Sequence, residues 1–448
     1  MDSRISTSEA AKRLGVSVRR VQGLVKEGAL EAEKVSGIWL VDEASVADRM
    51  RNVRKTGGRP ARGSSRNERR FTLMNRGHEI CEAIYDVRRQ EFTSLGELID
   101  GTRAPIGIST NGRGISLADF NLWWRMRGIP ITRVNIDQLL RDAGVQVPEE
   151  LLQRNLGLSL SDQYWINPQG SGLDWEQVNF FNNDFEQVGI HTAAFVDNPG
   201  VLAQPSNTSD GNLEKTWVVR DGVRMLKKHG LHNNQEPYNE VVATALHRRL
   251  LEEGEYVTYT LEGSGASACS LCTNFVSDEE EYIPALYVQR VLRGRENSDE
   301  YHTYLDSCAA LGAENVRELL DRMIVCDDIL ANTDRHFRNF GIIRNVESLE
   351  SRPAPLFDSG TSLWCDIDEE QLVRGERSFT SKQFYANPAR QLLLVNDFSW
   401  FNASALGDFV DEACEILSTN ESLLNRLPSI RSALKWRIDR MADIAEWA

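Results

Sequence analysis

The chain has 448 residues with a net charge of −15, 41% hydrophobic and 26% charged residues, which excludes wholesale disorder and fibrous repeats and leaves room for two or three domains. No run of 18 uncharged apolar residues occurs, and the start offers no charged stretch leading into an apolar core, so the expectation is a cytoplasmic protein with no membrane partner. Seven cysteines, odd in number and thinly spread, suit a reducing compartment better than a disulfide framework. Residues 1–70 carry +7 and residues 71–448 carry −22, so a basic head able to seek a polyanion precedes an acidic body that cannot coat nucleic acid.

In the head, Ser6-Thr7-Ser8-Glu9 fits a capping box, with Ala10, Ala11 and Leu14 as a short apolar face and Gly15 placed to end the helix. Gly15-Val16-Ser17 supplies a turn and a second N-cap. Val18, Val21, Leu24 and Val25 then recur at helical spacing, while Arg19, Arg20, Gln22 and Lys26 face away, which makes a helix-turn-helix. Residues 30–41, with Ser36-Gly37 in the middle, predict a β-hairpin wing on which Trp39 packs toward the helices.

Through Ser8-Glu9-Ala10-Ala11-Lys12-Arg13-Leu14-Gly15-Val16-Ser17 this segment resembles the excisionase and MerR-like winged helix-turn-helix families. The resemblance implies DNA as partner, with Arg19, Arg20 and Gln22 at base edges and Lys26 and the wing at phosphates. Its bland counterpart is a small protein-protein adaptor.

Residues 53–70 hold seven basic residues, one acid, three Gly and one Pro with no apolar periodicity, and predict a basic flexible linker. Gly58-Arg59-Pro60 within it resembles the core of an AT-hook, although Gly57 stands where that motif prefers Arg; a plain tether is the alternative. Residues 71–190 read as a support segment whose aromatic residues, Trp123, Trp124, Tyr164, Trp165, Trp175, Phe180, Phe181 and Phe185, fill a core.

Chemistry appears further on. Val316, Leu320, Met323 and Ile324 predict a buried helix running toward Asp327. Asn332-Thr333-Asp334-Arg335-His336-Phe337-Arg338-Asn339 then sets Asp334 and Asn339 five positions apart on a loop, followed by a strand from Phe340 and, nineteen residues beyond Asn339, by Asp358-Ser359-Gly360. Phosphoryl transfer needs a carboxylate to orient the acceptor hydroxyl and two oxygen ligands for Mg²⁺, and Asp334, Asn339 and Asp358 fit as base, metal ligand and metal ligand. His and Arg follow Asp334 instead of preceding it, and Ser359 stands where most eukaryotic-type kinases have Phe.

Those departures are the pattern of the HipA-like serine/threonine kinases, which the chain resembles through Asn332-Thr-Asp-Arg-His-x-x-Asn-Phe-Gly341 and Pro355-Leu-Phe-Asp-Ser-Gly-Thr-Ser362; Gly157-Leu-Ser-Leu-Ser-Asp-Gln-Tyr-Trp165 is similar to a segment ahead of the core in some of these proteins. The resemblance implies ATP and Mg²⁺ as cofactors and a protein bearing a Ser/Thr acceptor as substrate. It makes residues 208–215 the phosphate loop, with Thr208, Ser209 and Gly211 at the nucleotide, and Lys228 at the end of the returning strand 223–228 the phosphate lysine, with Lys227 as alternate because a slip by one exchanges faces. Glu240, on a helix opened by Glu236-Pro237, pairs with that lysine unless it is a solvent-exposed helical Glu, and His336 joins the nucleotide contacts. Thr208 is the implied autophosphorylation residue, with Ser206 and Ser209 as neighbours able to take the role. The family also implies an antitoxin-like helix-turn-helix partner or a homodimer.

The expected fold is thus α+β: a winged helix-turn-helix at 1–52, a linker at 53–70, a support segment at 71–190, an ATP-binding lobe at 191–290 and a mainly helical catalytic lobe at 291–448 of a two-lobed protein-kinase-like core. The competing readings are a DNA-binding transcriptional regulator whose kinase-like body only binds a ligand or partner, and a kinase of the same fold acting on a lipid or small molecule. Three further features are set aside: Gly263-Ser-Gly-Ala-Ser-Ala268 as a dinucleotide fingerprint, Cys269-Ser-Leu-Cys272 as a zinc knuckle, and the acidic run 278–281, taken as a solvated loop.

Overall fold

The computed structural model describes residues 4–14, 18–26, 30–35, 38–46, 67–108, 114–133, 136–193, 205–208, 213–292, 299–374 and 378–447. The chain divides into two compact units, Met1–Asn67 and Glu68–Ala448.

The first unit contains strand β1 (Arg4–Ser6), helices α1 (Thr7–Leu14) and α2 (Val18–Lys26), and strands β2 (Ala32–Val35) and β3 (Ile38–Asp42). Ser6 Oγ accepts the Glu9 N–H at 3.1 Å, so the capping signature starts α1 where the sequence places it. The strands form an antiparallel sheet ordered β1-β3-β2. Three-residue β1 has no periodicity to betray it; it forms by pairing Arg4 to Ser6 with Asp42 to Leu40.

Ala10, Ala11, Val21, Leu24, Leu30, Val41 and Val46 make the core of this unit. Two expectations are corrected there. Val18 is exposed, because it opens α2 before the helix meets the core, and Trp39 is only half-buried, lying across the hairpin from Lys34, whose ammonium sits 5.9 Å from its ring.

The second unit is a mixed α/β structure. It begins with β4 (Glu68–Asn75), β5 (His78–Asp86), β6 (Glu91–Leu95) and β7 (Tyr164–Pro168), a sheet ordered β6-β5-β4-β7. Residues 68–70, given to the linker from composition, are instead strand: Arg69 and Arg70 pair with Tyr85 and Ile84. Helix α3 (Leu117–Met126) lays Phe120, Trp123 and Trp124 onto this sheet, and the aromatic residues of 71–190 pack as a core with Phe185 at its edge. Gly157 adopts φ +71, and a Cβ there would stand 2.6 Å from the Trp124 ring, so the turn requires glycine.

The next sheet, ordered β10-β11-β9-β8, is built from β8 (Lys215–Arg220), β9 (Val223–Lys228), β10 (Tyr259–Glu262) and β11 (Cys269–Thr273). Helix α4 (Glu236–Leu250) joins β9 to β10 and buries Val242, Ala243 and Leu246. Strand β10 starts at Tyr259, and Tyr256 ahead of it forms an isolated parallel bridge to Leu356. Residues 263–268 turn the β10-β11 hairpin through a short 3-10 turn, Gly265–Ser267, and open no helix, and Cys269 and Cys272 lie three apart on β11, so they point to opposite faces. All seven cysteines are buried free thiols.

A third sheet, β12 (Glu280–Pro284), β13 (Gly341–Asn345) and β14 (Ser351–Pro353), is ordered β12-β13-β14. The acidic run 278–281 is not wholly a solvated loop: Glu280 and Glu281 are strand residues, and Glu281 is buried against Arg344, whose Nε donates to it at 2.7 Å. A Cβ on Gly341 would meet the Ile283 carbonyl at 2.1 Å, so the close β12-β13 approach beside Pro284 needs glycine. The longer helices of the rest of the unit are α5 (Glu300–Ala310), α6 (Val316–Leu330), α7 (Phe409–Ser418) and α8 (Leu427–Trp447), with Arg437 and Arg440 of α8 reaching the buried Asp328 of α6. Among the described residues no helix is long and apolar enough to cross a membrane.

Candidate active site

Strand β9 lies between β8 and β11, and its last residue, Lys228, stands opposite Lys215 on one side and Ser270 on the other. Side chains alternate along a strand, which separates the two candidate lysines. Lys227 donates to Glu262 on one face at 3.0 Å, whereas Lys228 is 3% exposed on the other, bonded to Glu240 Oε1 and 2.5 Å from Asp358 Oδ1. Its ammonium lies 5.2 Å from the Tyr259 ring centroid.

Glu240 faces this sheet because it shares a buried stripe of α4 with Pro237, Ala243 and Thr244, and its Oε2 accepts the Ser359 N–H at 3.0 Å. Asp358 takes φ +56, a left-handed conformation that Asp tolerates better than most residues, and its N–H donates to the Tyr259 hydroxyl at 3.2 Å. The preceding Phe357 is clamped between Phe275 and Tyr282 with ring centroids 5.0 and 5.4 Å away.

Burial lowers the Lys228 pKa, but the Asp358 and Glu240 carboxylates outweigh it and hold the ammonium well above its ordinary value. For Asp358 burial is overcome by Lys228, Lys215 and Arg335, and its carboxyl falls below the usual carboxylate range. Glu240 moves the other way, since its burial exceeds what Lys228 returns and Asp358 adds repulsion.

A second group of residues follows α6. That helix ends at Leu330, with Ala331 left-handed and its N–H returning to the helix's last carbonyls. Asp327, on the buried stripe of α6, then organises the loop. It accepts Asn332 Nδ2 at 2.8 Å, Arg335 Nε at 3.0 Å, an Arg335 terminal nitrogen at 3.1 Å and Gln383 Nε2 at 2.7 Å.

Arg335 is fully buried and spends its remaining donors on the Asn339 carbonyl at 2.9 Å, the Phe357 carbonyl and Ser359 Oγ at 2.9 Å. One guanidinium therefore ties the segment carrying Asp334 and Asn339 to the segment carrying Asp358. Asp334 is half-buried; its N–H donates to Asn332 Oδ1 at 2.9 Å, its carbonyl accepts Asn339 Nδ2 at 2.9 Å, and its Oδ1 accepts Lys382 Nζ at 2.6 Å. His336 is half-buried beside it, with Nδ1 accepting the Arg338 N–H at 3.4 Å.

Glu240 and Asp358 thus both contact Lys228, Asn339 contacts the Asp334 carbonyl, and Arg335 joins the two loop segments through Ser359 and the Phe357 and Asn339 carbonyls. Thr208 ends the 3-10 turn Pro205–Thr208, held beside β8 by Ser206 Oγ accepting the Trp217 N–H at 3.1 Å. The Thr208 side chain, Ser209 and Gly211 lie outside the described residues, as do Gly58-Arg59-Pro60 and the side chains of Arg19 and Arg20, while Gln22 and Lys26 are exposed on α2. The sequence reading gave no role to Asp327, Arg335, Lys382 or Gln383. Asp327 carried a signal: it falls three places beyond Ile324 on the apolar stripe, where a charge needs a buried partner.

Residues 5–54 match the family model described as a helix-turn-helix domain, so the head is a helix-turn-helix domain. No curated protein matches the chain's sequence. Among solved structures, the Helicobacter pylori proinflammatory kinase CtkA is similar at a TM-score of 0.40 and 17% identity, over 52% of this chain and 92% of that one, a likeness too shallow to carry weight for fold or activity.

Proposed function

We propose that the body is a two-lobed protein kinase that transfers the γ-phosphoryl group of ATP to a serine or threonine hydroxyl with Mg²⁺, and that the helix-turn-helix head binds DNA. The observation that carries the first part is the single network running from Lys228, Glu240 and Asp358 through Arg335 to Asp334 and Asn339. Structural ion pairs alone need no strand lysine, helix glutamate and loop aspartate in one cluster beside a second loop bearing Asp and Asn. We assign residues 191–290 to the nucleotide lobe and 291–448 to the catalytic lobe, with 71–190 as support, 53–67 as linker and 1–52 as the DNA-binding head.

Asp358 and Asn339 fit Mg²⁺, a hard cation that takes oxygen ligands, because Asp358 is held ionised and the Asn339 amide nitrogen is committed to the Asp334 carbonyl, leaving its oxygen to offer. When bound, the cation supplies charge neutralisation at the phosphate oxygens. Lys228, kept charged and aimed by Glu240, holds the nucleotide phosphates. Asp334 accepts the hydrogen bond of the acceptor hydroxyl and takes its proton as the new oxygen–phosphorus bond forms and the bond to the departing ADP oxygen breaks. We further propose Thr208 as a site of self-phosphorylation, the added charge repelling ATP phosphates.

The test is transfer from γ-labelled ATP with Mg²⁺ by wild type and Asp334→Asn. A loss of roughly 10²–10⁴-fold in the variant is expected. No label with either protein, while ATP still binds, overturns the kinase reading in favour of a DNA-binding regulator with a ligand-binding body.

A further inference from the structure

On the kinase reading above, we infer that Lys382 is a positioning residue for the transfer, fixing one oxygen of Asp334 and setting a positive charge beside the phosphoryl group in flight. The Lys382 ammonium lies 2.6 Å from Asp334 Oδ1, although the two residues are 48 positions apart and the lysine side chain is 52% exposed.

Exposed ion pairs are usually incidental, since a long side chain loses as much entropy as it gains in attraction. Lys382 differs because its backbone is anchored on both sides. Ser381 and Gln383 are buried; the Ser381 N–H donates to the Ala386 carbonyl at 3.1 Å, and Gln383 Nε2 donates at 2.7 Å to Asp327, the carboxylate that also grips Asn332 and Arg335. Phe384 packs its ring 5.5 Å from Phe337 and 5.8 Å from Phe340, which flank the same loop. The segment thus closes on itself through Ser381 and is docked on Asp327 and the Asp334 loop through Gln383 and Phe384, and the residue between these anchors points its ammonium at the base.

That placement has a chemical consequence. With Oδ1 held by Lys382, Oδ2 is the oxygen left to orient the acceptor hydroxyl. An acceptor oxygen at hydrogen-bonding distance from Oδ2 sits on the order of 5 Å from the ammonium. The phosphoryl oxygens that carry the spreading charge of the transition state pass through the same region, where a fixed cation favours the transition state over the ground state.

Steady-state kinetics of the full chain with Lys382→Ala and Lys382→Arg test this, with ATP-analogue affinity and melting temperature measured alongside. The expected result is a fall of about 10²-fold in kcat for Lys382→Ala, with KM for ATP, analogue affinity and melting temperature within twofold or a degree or two of wild type, and recovery of most of the loss by Lys382→Arg. An unchanged kcat in Lys382→Ala overturns the inference while the kinase reading stands. So does a loss that appears only in KM, or one that tracks a lowered melting temperature and is not restored by arginine. Absence of transfer by wild type overturns both.

Discussion

Replacing Arg335 with methionine keeps much of the side chain's volume and removes the guanidinium that spans the two loops. Arg335 is fully buried and donates to both oxygens of Asp327, to the Asn339 and Phe357 carbonyls and to Ser359 Oγ. Its loss leaves Asp327 buried with only the neutral amides of Asn332 and Gln383 as donors. Removing one partner of a buried ion pair costs about 3–5 kcal/mol, far more than the pair contributes over a well-packed apolar replacement. The expected outcome is a body destabilised by that amount in urea. It is read from tryptophan emission, to which the head contributes only Trp39. Asp327→Asn combined with Arg335→Met removes the stranded charge, so the double variant should be more stable than the sum of the two singles allows, by about 1–3 kcal/mol. Single-variant losses under about 1 kcal/mol, or effects that simply add, would falsify the reading of Arg335 and Asp327 as the joint between the loops.

Two further outcomes follow from other parts of the molecule. Burial and, secondarily, the charge of Arg335 hold the His247 pKa down to about 3, and neither ring nitrogen meets a hydrogen-bonding partner among the described residues. The folded state therefore stays unprotonated at His247 while an unfolded chain binds a proton below about 6.5, so this contribution is fully present above that pH and is lost as pH falls toward 3, by about 2 kcal/mol at pH 5. His247→Leu should flatten the stability profile between pH 7 and pH 5, and an unfolding free energy from urea titrations that changes between the two pH values as much as in wild type would refute it. In the head, Lys26 is exposed on α2, so Lys26→Ala should weaken DNA binding about equally across sequences and reduce the slope of log affinity against log salt by about 1. A sequence-selective loss with an unchanged salt slope in fluorescence titrations would assign Lys26 to base contact instead.

What the sequence disclosed depended on how far away each residue's partner lies. The α1 cap was legible because Ser6 and Glu9 meet within three positions, and strand 223–228 because alternation is a local rule. Motif spacing singled out Asp334, Asn339 and Asp358; for the lysine the family resemblance favoured Lys228, and alternation alone left Lys227 open, because which face of β9 meets Glu240 depends on a helix outside the strand. The hidden residues have distant partners. Glu281 sat in an acidic run that reads as surface until Arg344, 63 positions later, pairs with it in the core. Lys382 lies in a segment with no periodicity, and only the docking of Gln383 on Asp327 and of Phe384 on Phe337 and Phe340 gives it a fixed place. Arg335 read as a departure from the usual loop order, yet its position one place after Asp334 lets one side chain reach both loops. A carboxylate inside an apolar stripe, as at Asp327, is the one local sign that such long-range partners exist, because burying it without them is costly.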